Sequence, residues 1–570
     1  LNSKKDIKWA AQTPLLREAP SLERLDHIVW RAEAKWPARV ALINKDNRIT
    51  FGELADSVRR LASGFSRRGL KAGDRVVLQA PSSPGWLICY FSLVALGVEV
   101  IPLAEDRSEE GIKRALRLAE PDLIIVSPDV EQDIYKYYSG NPEIYVLDDL
   151  RKFLNRYSSD PYINFPVENF DSRQVASICF TSGTTGAAKG VCLTHANFCA
   201  DLRALYRVEK FGPGDRFLSV LPSFHTYEFT GGQMLPMFSG VAIVYAERLT
   251  SKTLMKHFRE DQITIMLAVP LVYQKIVDRI KRNQEKASFL KRWAGRSMLG
   301  LGKMNNKIGE FIRNNVNRKL MKKKGFKHLR LLISGGAPLN PEIPEQFRAL
   351  GLEMLQGYGL TETSPVATVN LPGTTYPASV GKSLSCCRVG IFAPDEDGTG
   401  EIVVEGSIVC KEYLCPECSR GTEDDLFHTG DIGYIKDGFL FVSGRLKSTI
   451  VTSEGKNIYP EKLEEVYKRS PFIEEILVVG EPRSDGSGER AKAIVYPDED
   501  AIADDRNVAS PGNELINRVI GEELKKYGEE LPKHERVRGY ELRCEPFPRT
   551  PTRKIKRYLF ESNSRSVSEE

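Results

Sequence analysis

Residues 178–190 read Ile-Cys-Phe-Thr-Ser-Gly-Thr-Thr-Gly-Ala-Ala-Lys-Gly, an apolar strand entering a loop of hydroxyls and glycines closed by one lysine. Gly183 and Gly186 let backbone N–H groups come close to phosphate oxygens. The hydroxyls of Thr181, Ser182, Thr184 and Thr185 add donors, and Lys189 adds charge. The chemistry is that of gripping a polyphosphate. It is not a Walker loop, in which Gly-Lys-Ser/Thr stand together after four intervening residues. Here Lys189 follows Gly186 by three and precedes Gly190. A plain Gly/Thr turn would rarely hold so many donors beside a lysine.

Five further segments follow in order. They are Leu221-Pro-Ser-Phe-His225, Ser334-Gly-Gly336-Ala337-Pro338-Leu339, and Gln356-Gly357-Tyr358-Gly359-Leu360-Thr361-Glu362. Then come Phe427-His-Thr-Gly-Asp431 with Gly444-Arg445-Leu-Lys447, and finally Pro548-Arg-Thr-Pro-Thr-Arg553-Lys554-Ile-Lys556-Arg557. Together with the first loop they resemble, in order and over most of the chain, the signature motifs of the adenylate-forming superfamily. That superfamily holds acyl-CoA synthetases, peptide-synthetase adenylation domains and luciferases.

The resemblance implies ATP and Mg²⁺ as requirements and assigns roles that the residue types can bear. Gly336, Ala337 and Pro338 would form the adenine-side loop. Tyr358 offers a flat face to the base, Gly357 and Gly359 let it approach backbone, and Gln356 belongs to the same nucleotide-binding motif. Thr361 can hydrogen-bond the α-phosphate, and Glu362, with Thr181, supplies the hard oxygens Mg²⁺ prefers. Asp431 can accept from both ribose hydroxyls, and Arg445 reaches the same region with its fork of donors. His225 would lie between nucleotide and acyl pockets.

Such a site joins a carboxylate to the α-phosphorus of ATP, releasing pyrophosphate, and then passes the acyl group to a thiol. The resemblance gives Lys554 to the carboxylate and α-phosphate. The family usually has Gly directly before this lysine, where this chain has Arg553, and Lys556 is a competitor two residues on. Lys447 would be the hinge on which a small C-terminal domain swaps Lys554 for a loop near residues 455–457.

Thr226, not an acid, follows His225, so no carboxylate is placed to pair an amino-acid amine; Glu228 is the nearest. The local run resembles long-chain fatty-acid activators, including acyl-carrier-protein ligases. Coenzyme A is then the expected acceptor, with acyl carrier protein the alternative. Phe229, Met234 and Met237 are expected either to line an acyl channel or to pack in the core. Intact Lys189, Glu362, Asp431 and Lys554 weigh against a non-enzymatic acyl-adenylate or fatty-acid sensor. Nothing specifically supports a luciferase-like oxygenation.

These residues need a scaffold, and the chain is long enough to build one. Its 570 residues carry 81 basic and 76 acidic side chains, with 41% hydrophobic. That is ordinary globular composition, too long for one core, so at least two domains are expected. Short apolar strands at residues 75–79, 98–102, 123–126, 216–221, 242–246, 263–269 and 329–334 alternate with helical patterns. Among the helices, one runs from Ile49 through Phe65, and residues 86–96 form a buried one. The alternation predicts an α/β fold with mostly parallel sheets covered by helices. From about Gly400 the rhythm turns to strands and tight turns, a β-rich subdomain. The expected division is an N-terminal AMP-binding domain over 1–446 and a small, mobile α+β domain over 447–570, ending in a polar tail from Ser562.

The net +5 hides an island: residues 275–330 hold 18 Lys/Arg against three acids (Asp278, Glu285, Glu310), a local +15. This is also where long-chain members of the family carry an insertion. Met304, Ile308, Phe311, Ile312, Val316 and Leu320 share one helical face, and Lys303, Lys307, Arg313, Arg318 and Lys322 to Lys324 charge the rest. A basic amphipathic helix reads as a membrane-surface element, as a dock for acidic carrier protein, or as a solvated face. Nucleic acid is not expected. The chain opens on Leu1 without an initiator Met, no secretory signal is expected, and its ten cysteines are too sparse for a disulfide scaffold. A cytoplasmic protein, peripheral at most on the inner membrane face, is expected. Cys415 and Cys418 have metal-knuckle spacing but lack two further ligands, so surface thiols are the expectation.

Overall fold

A computed structural model of the chain describes residues 7–104, 109–137, 143–147, 171–181, 189–208, 210–247, 249–285, 310, 312–317, 319, 321, 325–373, 376–415, 422–423, 426–454, 456–483, 488–549 and 555–565. Within them the α/β expectation holds, with three large sheets and a separate small unit. The nine-stranded sheet has a parallel centre in which Glu353–Tyr358, Leu331–Ser334, Ile265–Ala268 and Arg216–Ser219 are successive neighbours. Their apolar residues alternate between two buried faces, as in a sheet covered by helices on both sides.

A seven-stranded sheet is built around the parallel strands Arg75–Gln79, Glu99–Pro102 and Leu123–Val126. Toward one edge it carries the antiparallel pair Val175–Thr181 and Lys189–Thr194. Between these sheets runs the helix Pro84–Ala95. All twelve of its residues are buried, and the Ser83 side chain caps it by accepting from the Trp86 N–H. A six-stranded antiparallel sheet carries the long strand Leu426–Lys436, paired with Phe439–Arg445. Asp437 and Gly438 turn that hairpin with φ of 52° and 79°, the mirror-image turn that matches strand twist. From Ile450 onward a core of its own forms, with Leu463, Ile476, Val478, Ala493 and Ile520 at its centre.

Three expectations need correction. The helix begins at Phe51, not Ile49, because Thr50 stays extended and forms a capping box with Glu53, leaving Ile49 in the strand Asn47–Thr50. The final helix, Tyr558–Arg565, takes in residues 562–565, which composition assigned to the tail. Cys415 is buried rather than a surface thiol, Cys418 lies outside the described residues, and no metal-binding cluster exists among the described residues. The basic helix through Met304, Ile308, Phe311 and Leu320 also falls largely outside them; its described part, Ile312–Asn317, winds as a π-helix with Asn317 bonded to the Ala349 carbonyl. Among the described residues no helix is long and apolar enough to cross a membrane.

Candidate functional site

The loops leaving the C-terminal ends of the four neighbouring parallel strands open into one cleft of about 3950 Å³. This is where open α/β sheets bind ligands, because the strands end together and the loops beyond them are free to vary. After Arg216–Ser219 come Leu221 and His225; after Leu331–Ser334 come Gly336, Ala337 and Pro338. Glu353–Tyr358 itself brings Gln356, Gly357 and Tyr358, then Gly359, Thr361 and Glu362. Gly336 holds φ at +78° at the turn out of its strand, a conformation that side chains disfavour.

Thr361–Thr363 is one turn of 3₁₀-helix. Its entry is closed by Thr363, whose hydroxyl oxygen accepts from the Leu360 N–H at 2.9 Å. The chain folds back so tightly that Gly359 lies against the Pro365 carbonyl; a Cβ there would sit 1.8 Å from that oxygen. Glu362 is held from behind. Its carbonyl accepts from Cys410 N–H at 2.8 Å, and its carboxylate accepts from the Tyr413 hydroxyl at 3.4 Å. Burial pushes the Glu362 carboxyl up, while Tyr413, Arg445 and Lys189 pull it back down.

Lys189 opens the strand Lys189–Thr194 and stands opposite Thr181 across the hairpin, so both ends of the phosphate-type loop reach the cleft. Its ammonium lies 5.3 Å from the Tyr413 ring centroid. Ser182, Gly183, Thr184, Thr185 and Gly186 fall outside the described residues. Glu362 with the hydroxyls of Thr181 and Thr361 makes a sparse set of hard oxygens on the cleft wall. That set suits Mg²⁺, which takes one or two protein carboxylates and completes its shell with water and substrate phosphates.

Asp431 and Arg445 are cross-strand partners, and their side chains meet at 2.8 Å. The other Asp431 oxygen accepts from the Tyr358 hydroxyl, also at 2.8 Å. Burial, with Asp431 alongside, pushes the Tyr358 phenol well up, so it remains a donor. Each carboxylate oxygen keeps a second lone pair, enough to accept from two vicinal hydroxyls. Sequence reading placed Tyr358 against a base; the structure adds that its hydroxyl aims the neighbouring carboxylate.

Of the two expectations for the acyl-lining candidates, the structure has them packed in the core. Phe229 packs among Tyr90 and Phe198, with ring centroids 4.6 and 5.2 Å away, and Met234 and Met237 are fully buried in the same core. None reaches the cleft wall, because the segment following His225 turns inward as a π-helix, Glu228–Met234. Glu228 goes with it, so it does not serve as an amine partner in the cleft.

The C-terminal unit closes another side. Lys447, exposed on the short turn Leu446–Ser448, lines the cleft. So do Arg549 and Ile555, which pair across a single bridge, and Lys556. Lys554 lies outside the described residues.

Tyr413 was missed by sequence reading. It stands 51 residues beyond Glu362 and comes to it only because Glu412–Tyr413 pairs with the strand carrying Lys189. No local signal marks it. Tyr413→Phe is expected to raise the Mg²⁺ concentration needed for half-maximal activity about threefold to fivefold, the worth of one modest hydrogen bond. A magnesium titration of both proteins checks this, and coincident curves would refute a hold on Glu362.

Residues 29–414 match the family described as AMP-binding enzyme. Among curated proteins, the peroxisomal long chain acyl-CoA synthetase 7 of Arabidopsis thaliana is 28% identical over 581 residues, covering 91% of this chain and 82% of that one. The chloroplastic long-chain-fatty-acid–[acyl-carrier-protein] ligase AEE15 of the same plant is 27% identical, covering 88% and 80%. The solved structure of ATP-bound MatB from Rhodopseudomonas palustris shares the fold, with a TM-score of 0.75 at 22% identity over 96% of this chain and all of that one. A family match across two-thirds of the chain leaves one conclusion: the chain belongs to the AMP-binding enzyme family.

Proposed function

We propose that this protein activates a long-chain fatty acid with ATP, through an acyl-adenylate, and transfers the acyl group to the thiol of coenzyme A. The observation that carries the reading is the convergence of Lys189, the Thr361–Glu362 turn and the Asp431–Arg445–Tyr358 cluster on one cleft. The substrate class rests on the names of the relatives, which are fatty-acid ligases.

In the first half-reaction the fatty carboxylate attacks the α-phosphorus and pyrophosphate leaves. Negative charge spreads over the phosphoryl oxygens, so catalysis needs positioned cations and donors rather than a covalent nucleophile. Lys189 and the 181–186 loop hold the phosphates, Asp431 accepts from the ribose hydroxyls, and Thr361 donates to the α-phosphate. Glu362 and Thr181 would hold Mg²⁺, which when bound neutralises phosphate charge. Lys554 meets the carboxylate and α-phosphate. His225 separates nucleotide from acyl group.

Palmitate-dependent ATP–pyrophosphate exchange tests the first half. Thioester formation with coenzyme A or with acyl carrier protein as acceptor tests the second. Absence of exchange with any fatty acid would overturn the reading. Acyl carrier protein is the second reading, favoured by a carrier-protein ligase among the relatives. It wins if only that acceptor is used. Peripheral contact of the basic segment 275–330 with the inner membrane face belongs to the same proposal, since fatty acids partition into lipid.

Domains over 1–446 and 447–570 would rotate at Lys447 between the two halves. A charged residue exposed in both states suits a hinge. Lys447→Pro is expected to keep pyrophosphate exchange within about threefold and to slow thioester formation more than about tenfold. Equal loss of both would count against a hinge there.

A further inference from the structure

The residues Glu228–Met234 wind as a π-helix, an uncommon geometry that recurs at functional sites, and all seven are buried. Three polar side chains among them reach toward the loops of the cleft. Glu228 accepts from the Ser219 hydroxyl, at the end of the strand that leads into the cleft-lining segment. Gln233 donates to the Ser223 hydroxyl at 2.5 Å. Thr230 donates to the Ser364 carbonyl at 3.2 Å, directly behind the Thr361–Glu362 turn. At the start of the helix the Phe229 N–H donates to the His225 carbonyl at 2.8 Å. One buried element thus grips the His225 segment and the Glu362 turn together.

Glu228 is fully buried, and among the described residues its Oε2 has no hydrogen-bond partner. Gly232 lies flat against the carboxyl; a Cβ there would sit 2.6 Å from Glu228 Cδ. The titratable groups facing it are Tyr227 beside it in the chain, Tyr245 at the end of the strand Ala242–Tyr245, and Tyr273 on the helix Pro270–Glu285. Burial pushes all three phenols up, so they stay neutral and cannot balance a charge. Burial also pushes Glu228 up to about 8, against the pull of the Ser219 hydroxyl and the nearby Leu221 backbone.

We propose that Glu228 is a positioning residue which, as a neutral acid, fixes the loop bearing His225 and through the π-helix sets that loop against the Glu362 turn. The proposal rests on the adenylating reading of the cleft. Its test compares the parent with Glu228→Gln, which mimics the neutral acid, and with Glu228→Ala. Both palmitate-dependent pyrophosphate exchange and thermal melting are followed from pH 5 to 10.

At pH 7 the Gln variant is expected within about threefold of the parent and the Ala variant more than about tenfold below it. Above about pH 8 the parent loses activity that the Gln variant keeps. The melting curves carry an independent sign. An acid whose folded pKa is raised keeps a proton the unfolded chain has lost, so its contribution to stability declines as pH rises. The parent Tm is therefore expected to fall relative to the Gln variant between about pH 5 and 8, and to run level with it above. A Gln variant as impaired as the Ala variant at pH 7, or a Tm difference independent of pH, overturns the proposal. A parent without acid-dependent exchange would overturn the functional reading instead, and the melting curves would still decide for Glu228.

Discussion

Lys554→Ala is expected to lower acid-dependent pyrophosphate exchange by about 10²–10³ while sparing transfer from supplied acyl-adenylate to the thiol. The first half-reaction brings a carboxylate against a phosphate, two anions that repel until a cation stands between them. One ammonium about 4 Å from an anion is worth about 4 kcal/mol at an effective dielectric of about 20, which is of the order of that rate loss. In the second half-reaction the carboxylate is already esterified, and the need is gone. Lys556 is the internal control. It lines the cleft, but its backbone N–H is tied to the Pro548 carbonyl at 2.9 Å, and Lys556→Ala is expected to cost less than about fivefold. The reverse pattern would transfer the role to Lys556, and Arg553 in place of the usual glycine makes the comparison necessary.

Gly359→Ala is expected to lose exchange by about 10² or more, chiefly by displacing the turn that carries Thr361 and Glu362. The new Cβ would lie 1.8 Å from the Pro365 oxygen, 2.9 Å from its carbon and 3.0 Å from the Ala367 nitrogen. All three are backbone atoms, so no side chain can swing aside. Relief requires the Thr361–Glu362 turn itself to move, and a displacement of about 1 Å at a reacting centre costs about 10². Over-packing adds about 1–3 kcal/mol of destabilisation, visible as a lower Tm. Gly357→Ala meets the Thr368 oxygen at a milder 3.2 Å and is expected to lose less than about tenfold. Parent-like exchange from the Gly359 variant would show that the turn is not held as the structure shows it.

The two variants draw on different kinds of knowledge. Lys554 stands out by its place in a motif; the reason Gly359 must be glycine is a contact six residues further on, visible only once the turn is folded. The same division runs through the molecule. Apolar runs such as Arg75–Gln79 and Leu123–Val126 were legible as strands, and so was the buried helix over Pro84–Ala95, because period and turn residues are local signals. The helix start at Phe51 was misplaced by two residues because Thr50 favours its Glu53 cap over the helical conformation.

The resemblance of the motifs to the family's signatures named Lys189, Glu362, Asp431 and Arg445, whose residue types suit phosphate, metal and ribose. It could not tell a channel wall from a core. Phe229, Met234 and Met237 are equally apolar in either place, and it was the inward turn of the π-helix that sent them to the core. Nor could it see that Tyr358 aims Asp431, that Tyr413 holds Glu362, or that Glu228 is buried with three phenols for neighbours. Those relations depend on strand order and on which elements pack together. Residue type and local spacing carry the chemistry of this protein; the distances across which that chemistry acts arise from pairings tens of residues apart, which no window along the chain contains.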